Sequence, residues 1–179
     1  MLRTDGVRSF LVDHGHWSLK QTGDDNDFNQ RLGRLHNHLV ELLDQHQPDE
    51  IAIEQVFMSK SVSSALKLGH ARGAAIAAVV MRSLPVSEYA PRTIKQAVVG
   101  SGTASKEQVG RMVMQLLGIN ENPQTDAADA LAIALCHCHT RGSSRQTAAS
   151  SASGSRSTAR RRSVRWQNVP DKTKKNKII

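Results

Sequence analysis

The stretch Glu50-Ile51-Ala52-Ile53-Glu54 decides what kind of fold this chain can form. It is brief, β-branched and preceded by Pro48, so it predicts a buried strand that delivers Glu54 at its C-terminal end. Working outward, Phe28, Leu32, Leu35, Leu39 and Leu43 recur every three or four residues and predict a helix that starts at Asp27 and is closed by Pro48. On the other side, residues 62–82 are rich in Ala and free of Pro, which predicts a long helix whose Gly69 and Gly73 permit close helix packing. Residues 85–89 predict a second short strand, and residues 91–99 a short helix with Pro91 in its first turn. A loop at 100–103 leads to Ser105, which is expected to cap a helix carrying Val109, Met112, Val113 and Leu116 and ended by Gly118. A last helix is expected from about Asp126 to His139. Upstream, residues 6–12 and 16–22 alternate around Asp13-His14-Gly15 and predict a hairpin. Strands alternating with helices imply a three-layer α/β domain, in which ligands sit at the C-terminal strand ends. Glu54 falls there.

Charge divides the chain in two. Residues 141–179 hold eleven Lys and Arg against one acid, Asp171, leaving 13 basic and 15 acidic residues of the chain's 24 and 16 for residues 1–140. Basicity is therefore a property of the tail, and a uniformly basic nucleic-acid coat is excluded for the body. The tail shows no periodic apolar face and is expected to be disordered, with Arg160-Arg161-Arg162 and Arg165-Trp166 either gripping DNA or keeping the chain soluble. Apolar runs at 74–81 and 127–136 are well short of the ~18 residues a membrane span needs. No secretory signal is visible, and the two cysteines, Cys136 and Cys138, are two apart on a helix and diverge. These features point to the cytoplasm and away from a membrane.

Asp126 and Asp129 stand three apart at the start of a helix that is almost entirely apolar beyond them, so their carboxylates leave one face. They stabilise the positive end of the helix dipole, or they join Glu54 as hard oxygen ligands of the kind that bind Mg²⁺. Cys136-His137-Cys138-His139 invites a zinc reading, but alternate helical residues diverge and structural zinc draws ligands from separated elements. Gly100 to Lys106 fails as a phosphate loop, because Ser105 replaces the required glycine and Glu107 the Ser or Thr.

Four ordered motifs now become recognisable: Ile53-Glu54-Gln55-Val56-Phe57-Met58; Ser64-Ala65-Leu66-Lys67-Leu68-Gly69 with Ala71-Arg72-Gly73; Lys95-Gln96-Ala97-Val98-Val99-Gly100; and Asp126-Ala127-Ala128-Asp129-Ala130-Leu131-Ala132. Together they closely resemble the RuvC family of Holliday-junction resolvases, from roughly Arg31 to His139 and weakly upstream to Thr4. The resemblance implies a homodimeric endonuclease of ribonuclease-H-like fold, a three-layer α/β arrangement with a mixed sheet flanked by helices. It implies symmetric cutting of four-way DNA junctions in recombination and repair with two Mg²⁺ ions per site, Mn²⁺ substituting, about 4 Å apart. Branch-migration proteins of the same pathway are implied as partners. Glu54, Asp126 and Asp129 match acids of the family's catalytic and metal-binding set. Phe57 matches an aromatic that stacks on junction bases, its plainer alternative being a loop anchor. Lys95 and Lys106 match lysines near the scissile phosphate, where a cation offsets phosphoryl charge.

One family feature has no counterpart. Members open with a strand carrying an Ile-Asp-Pro-Gly-type motif whose Asp is the first metal-binding acid, and this sequence contains no such motif; Thr4-Asp5-Gly6-Val7 resembles the segment that follows it. The expectation is an N-terminally truncated nuclease domain over 1–140 with its first strand missing, followed by a basic tail over 141–179. A junction-binding remnant that no longer cuts is the alternative to an active resolvase.

Overall fold

The computed structural model describes residues 1–19, 27–56, 61–121, 123–151 and 176–178. At the start, β1 (Leu2–Thr4) and β2 (Ser9–Leu11) form an antiparallel hairpin with Leu2 opposite Leu11. The expected hairpin about residues 13–15 is thus displaced to an earlier turn. There the Asp5 carboxylate accepts from the N–H groups of Val7 and Arg8, and Gly6 adopts φ 93°, which a residue without Cβ does freely. Residues 16–19 form no strand, and 20–22 lie outside the described residues.

The expected helix boundaries follow from local hydrogen bonds. The Asp27 side chain accepts from the Asn29 N–H to open α1 (Phe28–His46). After β3 (Ile51–Glu54), Ser61 caps α2 (Val62–Val80), accepting from the Ser64 N–H. β4 (Val86–Tyr89) runs into α3 (Pro91–Val99), where Pro91 occupies the first turn and gives up no helical bond. Ser105 and Gln108 cap each other reciprocally at the start of α4 (Lys106–Leu117). Gly100 and Gly118, at φ 81° and 64°, stop α3 and α4 in the left-handed conformation.

α5 spans Thr125–Ser151, past the expected end near His139 and into the segment read as disordered. A helix already nucleated and buried propagates through residues that would not start one, provided no Pro intervenes, and none does before 151. The tail also returns: β5 (Asn176–Ile178) pairs antiparallel with β1, Leu2 opposite Ile178. On its other side Ile178 bridges Glu50 in parallel sense, and the Asp49 N–H donates to the Lys177 carbonyl at 2.9 Å. The three-stranded sheet β2-β1-β5 and the parallel pair β3-β4 thus meet edge to edge at this isolated bridge, two sheets in one mixed layer. Residues 152–175 lie outside the described residues.

Helices cover both faces of this layer. Ile51 packs with Leu43 of α1 and Val79 of α2, whereas its neighbour Ala52 faces the larger core of Leu131 and Leu135 of α5, Ile94 and Val98 of α3, and Val109 and Val113 of α4. Leu2 and Ile178, both fully buried, belong to that larger core. Gly69 and Gly73 depart from expectation within the protomer, since a Cβ on either would meet nothing within 4 Å.

The Cys-His-Cys-His stretch is occupied by other partners. The buried His137 ring lies 2.7 Å through Nδ1 from the Tyr89 hydroxyl and 2.8 Å through Nε2 from Glu50 Oε2, while the other Glu50 oxygen, Oε1, pairs with Arg141. His139 Nδ1 lies 3.0 Å from the Ala97 carbonyl. Cys136 and Cys138 are buried free thiols, and burial pushes both up from the ordinary thiol range. Because the thiolate is the reactive form, an alkylating reagent should modify both at least about 100-fold more slowly in the folded chain than in denaturant. Equal rates, read by mass spectrometry, would contradict this packing.

Candidate active site

β3 ends on Glu54, with Tyr89 opposite it in β4. α5 begins at Thr125, so Asp126 stands in its first turn and Asp129 one turn further along. Glu54 and Asp129 line one cavity of about 300 Å³ together with Lys95 from α3 and Lys106 from α4, over a floor that includes Ile94, Val109 and Ile133. Four of the six expected site residues therefore meet in one place. A neighbouring hollow of about 500 Å³ between α4 and the start of α5 shares Lys106 and Asp129 and adds Arg111.

The charges act on one another there. Lys106 Nζ lies 3.2 Å from Asp129 Oδ2. Burial pushes the Glu54 carboxyl above the usual carboxylate range, the negative charge of Asp129 adds to the rise, and Lys106 opposes it. The Lys106 ammonium is held above its ordinary range, first by its hydrogen bond to Asp129 and then by that residue's charge, with Glu54 and Asp126 contributing. Two carboxylates that repel one another are a natural seat for a cation, and Lys106 is the cation that answers them in the protein alone.

Asp126 does not line the cavity, and among the described residues no group of three or more His, Cys, Asp or Glu side chains is close enough to hold a metal ion. The hard oxygen donors of Glu54 and Asp129 fit a divalent cation in chemistry; a three-acid shell around one ion is not assembled. Phe57 lies outside the described residues.

Arg72 is the site residue that reasoning from spacing passed over. From α2 it donates through Nη1 to the Glu54 carbonyl at 2.6 Å and pairs through Nη2 with Glu88 of β4 at 2.6 Å. It thereby ties the ends of β3 and β4 to the helix above them. Its signal was present in Ala71-Arg72-Gly73, one of the motifs quoted above, but an arginine on a helix announces no partner by itself.

Residues 11–137 match the family described as crossover junction endodeoxyribonuclease RuvC. A RuvC of that description from Xanthomonas axonopodis pv. citri is 55% identical over 142 residues, covering 79% of this chain and 80% of its own length. Another, from Halorhodospira halophila, is 53% identical over 138 residues, covering 76% and 80%. Thermus thermophilus RuvC superposes with a TM-score of 0.65 at 35% identity, covering 76% of this chain and 81% of that one. The T. thermophilus RuvC in complex with Holliday junction substrate gives a TM-score of 0.71 at 34% identity, covering 80% and 86%. The expected ribonuclease-H-like α/β fold is the one this chain has. With a family match across most of its length and a site of acids and lysines at the expected strand end, the chain belongs to the RuvC family of crossover junction endodeoxyribonucleases.

Proposed function

We propose that this chain binds four-way DNA junctions and resolves them by metal-dependent hydrolysis of a phosphodiester bond in each of two symmetric strands, in recombination and repair. The observation that carries this reading is the single cavity in which Glu54 and Asp129 face Lys95 and Lys106. Glu54 and Asp129, joined by Asp126 from the first turn of α5, would hold Mg²⁺ or Mn²⁺, two ions in the full site, which supply Lewis acidity and a water of lowered pKa. Lys106 and Lys95 offset the charge of the phosphoryl oxygens, and Arg111 in the adjoining hollow extends the cationic surface along the backbone. Arg72 holds the Glu54 backbone so that its carboxylate meets the phosphate from a fixed strand end. Phe57 is assigned to stacking on an unpaired junction base.

Two related cuts require two sites, and α2 offers a surface for pairing them. Val62, Leu66, Gly69, Gly73, Ala77 and Val80 fall at intervals of three and four and are all exposed, so a second copy would find a seam of small and apolar residues there. The two glycines then serve close packing between protomers. Work in the cytoplasm alongside branch-migration proteins completes the proposal; no helix among the described residues is long and apolar enough to cross a membrane.

The test is cleavage of a synthetic four-way junction by the full chain with Mg²⁺, with EDTA and with linear duplex as controls. Symmetric nicks that need the metal and the junction are expected. A second reading, a junction-binding protein that does not cut, is favoured by one observation, the lack of a three-acid metal shell among the described residues. Retained junction binding without nicks would establish it.

A further inference from the structure

His137 takes no part in the chemistry proposed above, yet it ties α5 to both strands that frame the site. Its Nε2 reaches Glu50 Oε2, just before β3, at 2.8 Å, and its Nδ1 reaches the hydroxyl of Tyr89, the last residue of β4, at 2.7 Å. Tyr89 stands opposite Glu54, and its carbonyl accepts from the Gln55 N–H at 2.8 Å. The Tyr89 and His137 rings meet edge to face, their centroids 5.7 Å apart. Along α5, Asp129, Ile133 and His137 follow at intervals of four, so one face of the helix carries the acid, part of the cavity floor and the buried imidazole. Asp129 and His137 are ~12 Å apart along the helix axis.

We propose that Tyr89 and His137 are positioning residues, whose hydrogen bond fixes the axial register of α5 against β3 and β4 and so sets the separation of Asp129 from Glu54. The inference rests on the reading that these two carboxylates hold a divalent cation. Leu131 and Leu135 keep α5 on the sheet by apolar burial, which is non-directional and does not by itself choose one position along the axis. Hydrogen bonds are directional and weaken steeply when donor and acceptor shift, so they choose it. Bonded through both ring nitrogens, His137 satisfies Glu50 and Tyr89 together in one register, and losing either leaves a buried polar atom unpaired. Arg141, one turn further along α5, grips the other Glu50 oxygen and steadies the same alignment. A metal site needs this, because a slide by even one residue's rise, ~1.5 Å, would move Asp129 well away from its working distance to Glu54.

The experiment uses the full chain with Tyr89→Phe, which removes only the hydroxyl, and with His137→Gln, whose amide can reach Glu50 but not Tyr89 as well. Mn²⁺ binding is read by electron paramagnetic resonance, and junction affinity and cleavage are followed against Mg²⁺ concentration, at a temperature where melting curves show each variant folded. Each variant is expected to weaken Mn²⁺ binding roughly tenfold and to slow cleavage roughly ten- to 100-fold, while junction affinity stays within about threefold. The double variant should be no worse than the weaker single one, since both break one link. Should His137→Gln fail to fold, Tyr89→Phe decides alone. Metal binding and cleavage equal to wild type in Tyr89→Phe, with or without a fall in Tm, would overturn the positioning role and leave the bond a structural one. A wild-type chain that itself bound no Mn²⁺ would overturn the metal reading, and the positioning role with it.

Discussion

Glu54→Gln and Asp129→Asn are each expected to slow junction cleavage by roughly 100- to 1,000-fold while junction affinity changes less than about threefold. Both carboxylates line the cavity, and both are hard oxygen donors whose replacement by an amide keeps shape and removes charge. Their negative charge does nothing for an approaching phosphate, so binding should survive and can improve. Lys106 enters the same balance. Hydrogen-bonded to Asp129 at 3.2 Å, it must turn part of its charge toward DNA when substrate arrives, and Asp129→Asn frees it to do so. Comparable cleavage by wild type and either variant, measured on one radiolabelled junction preparation at saturating Mg²⁺, would remove these residues from the catalytic set.

The second large effect is on stability and lies beneath the sheet. Glu50→Ala takes from His137 its Nε2 partner and from Arg141 a carboxylate, in a place where the His137 side chain is 2% exposed and that of Glu50 17%. Leaving a buried polar group without its hydrogen-bond partner typically costs about 1 to 3 kcal/mol, and Arg141, 29% exposed, can turn to water. For a chain of this size that corresponds to a fall in Tm of roughly 2–12 °C. Glu50→Gln, which retains a hydrogen-bonding oxygen, should lose less than half as much. A Glu50→Ala chain melting within about 2 °C of wild type in a calorimeter would show that the trio contributes little.

The parts of this fold that were legible in the sequence are those dictated locally. Ser105 caps α4 and Gly118 ends it, Pro91 stands in the first turn of α3, and the short apolar runs at Ile51 and Val86 are the parallel strands. The hairpin was misplaced because two turn-like clusters, Asp5-Gly6 and Asp13-His14-Gly15, compete over a short distance. Their contest is settled by hydrogen bonds from Val7 and Arg8 to the Asp5 carboxylate, which residue type alone does not reveal. β5 left no trace: one Ile among Lys and Asn has neither alternation nor length, and its strand character comes wholly from partners near the other end of the chain. The site was legible to the extent that motif and strand-end logic agree, which placed Glu54, Asp129, Lys95 and Lys106 together. Spacing alone could not separate Asp126 from Asp129. They share a helix face, but one helical turn between them leaves Asp126 off the cavity wall.

The position of β5 also bears on the order in which the protein can be built. β1 leaves the ribosome about 170 residues ahead of β5, its partner on that side. At ~5 to 20 residues per second the nascent chain carries Leu2 unburied and that edge of β1 unpaired for roughly ten to thirty-five seconds. The helices α3, α4 and α5 need no such wait, since they meet one another within a contiguous stretch of sequence. Cotranslational folding should therefore yield a helical core first and the mixed layer only once β5 has emerged, with an exposed strand edge in the interval that invites chaperones or aggregation.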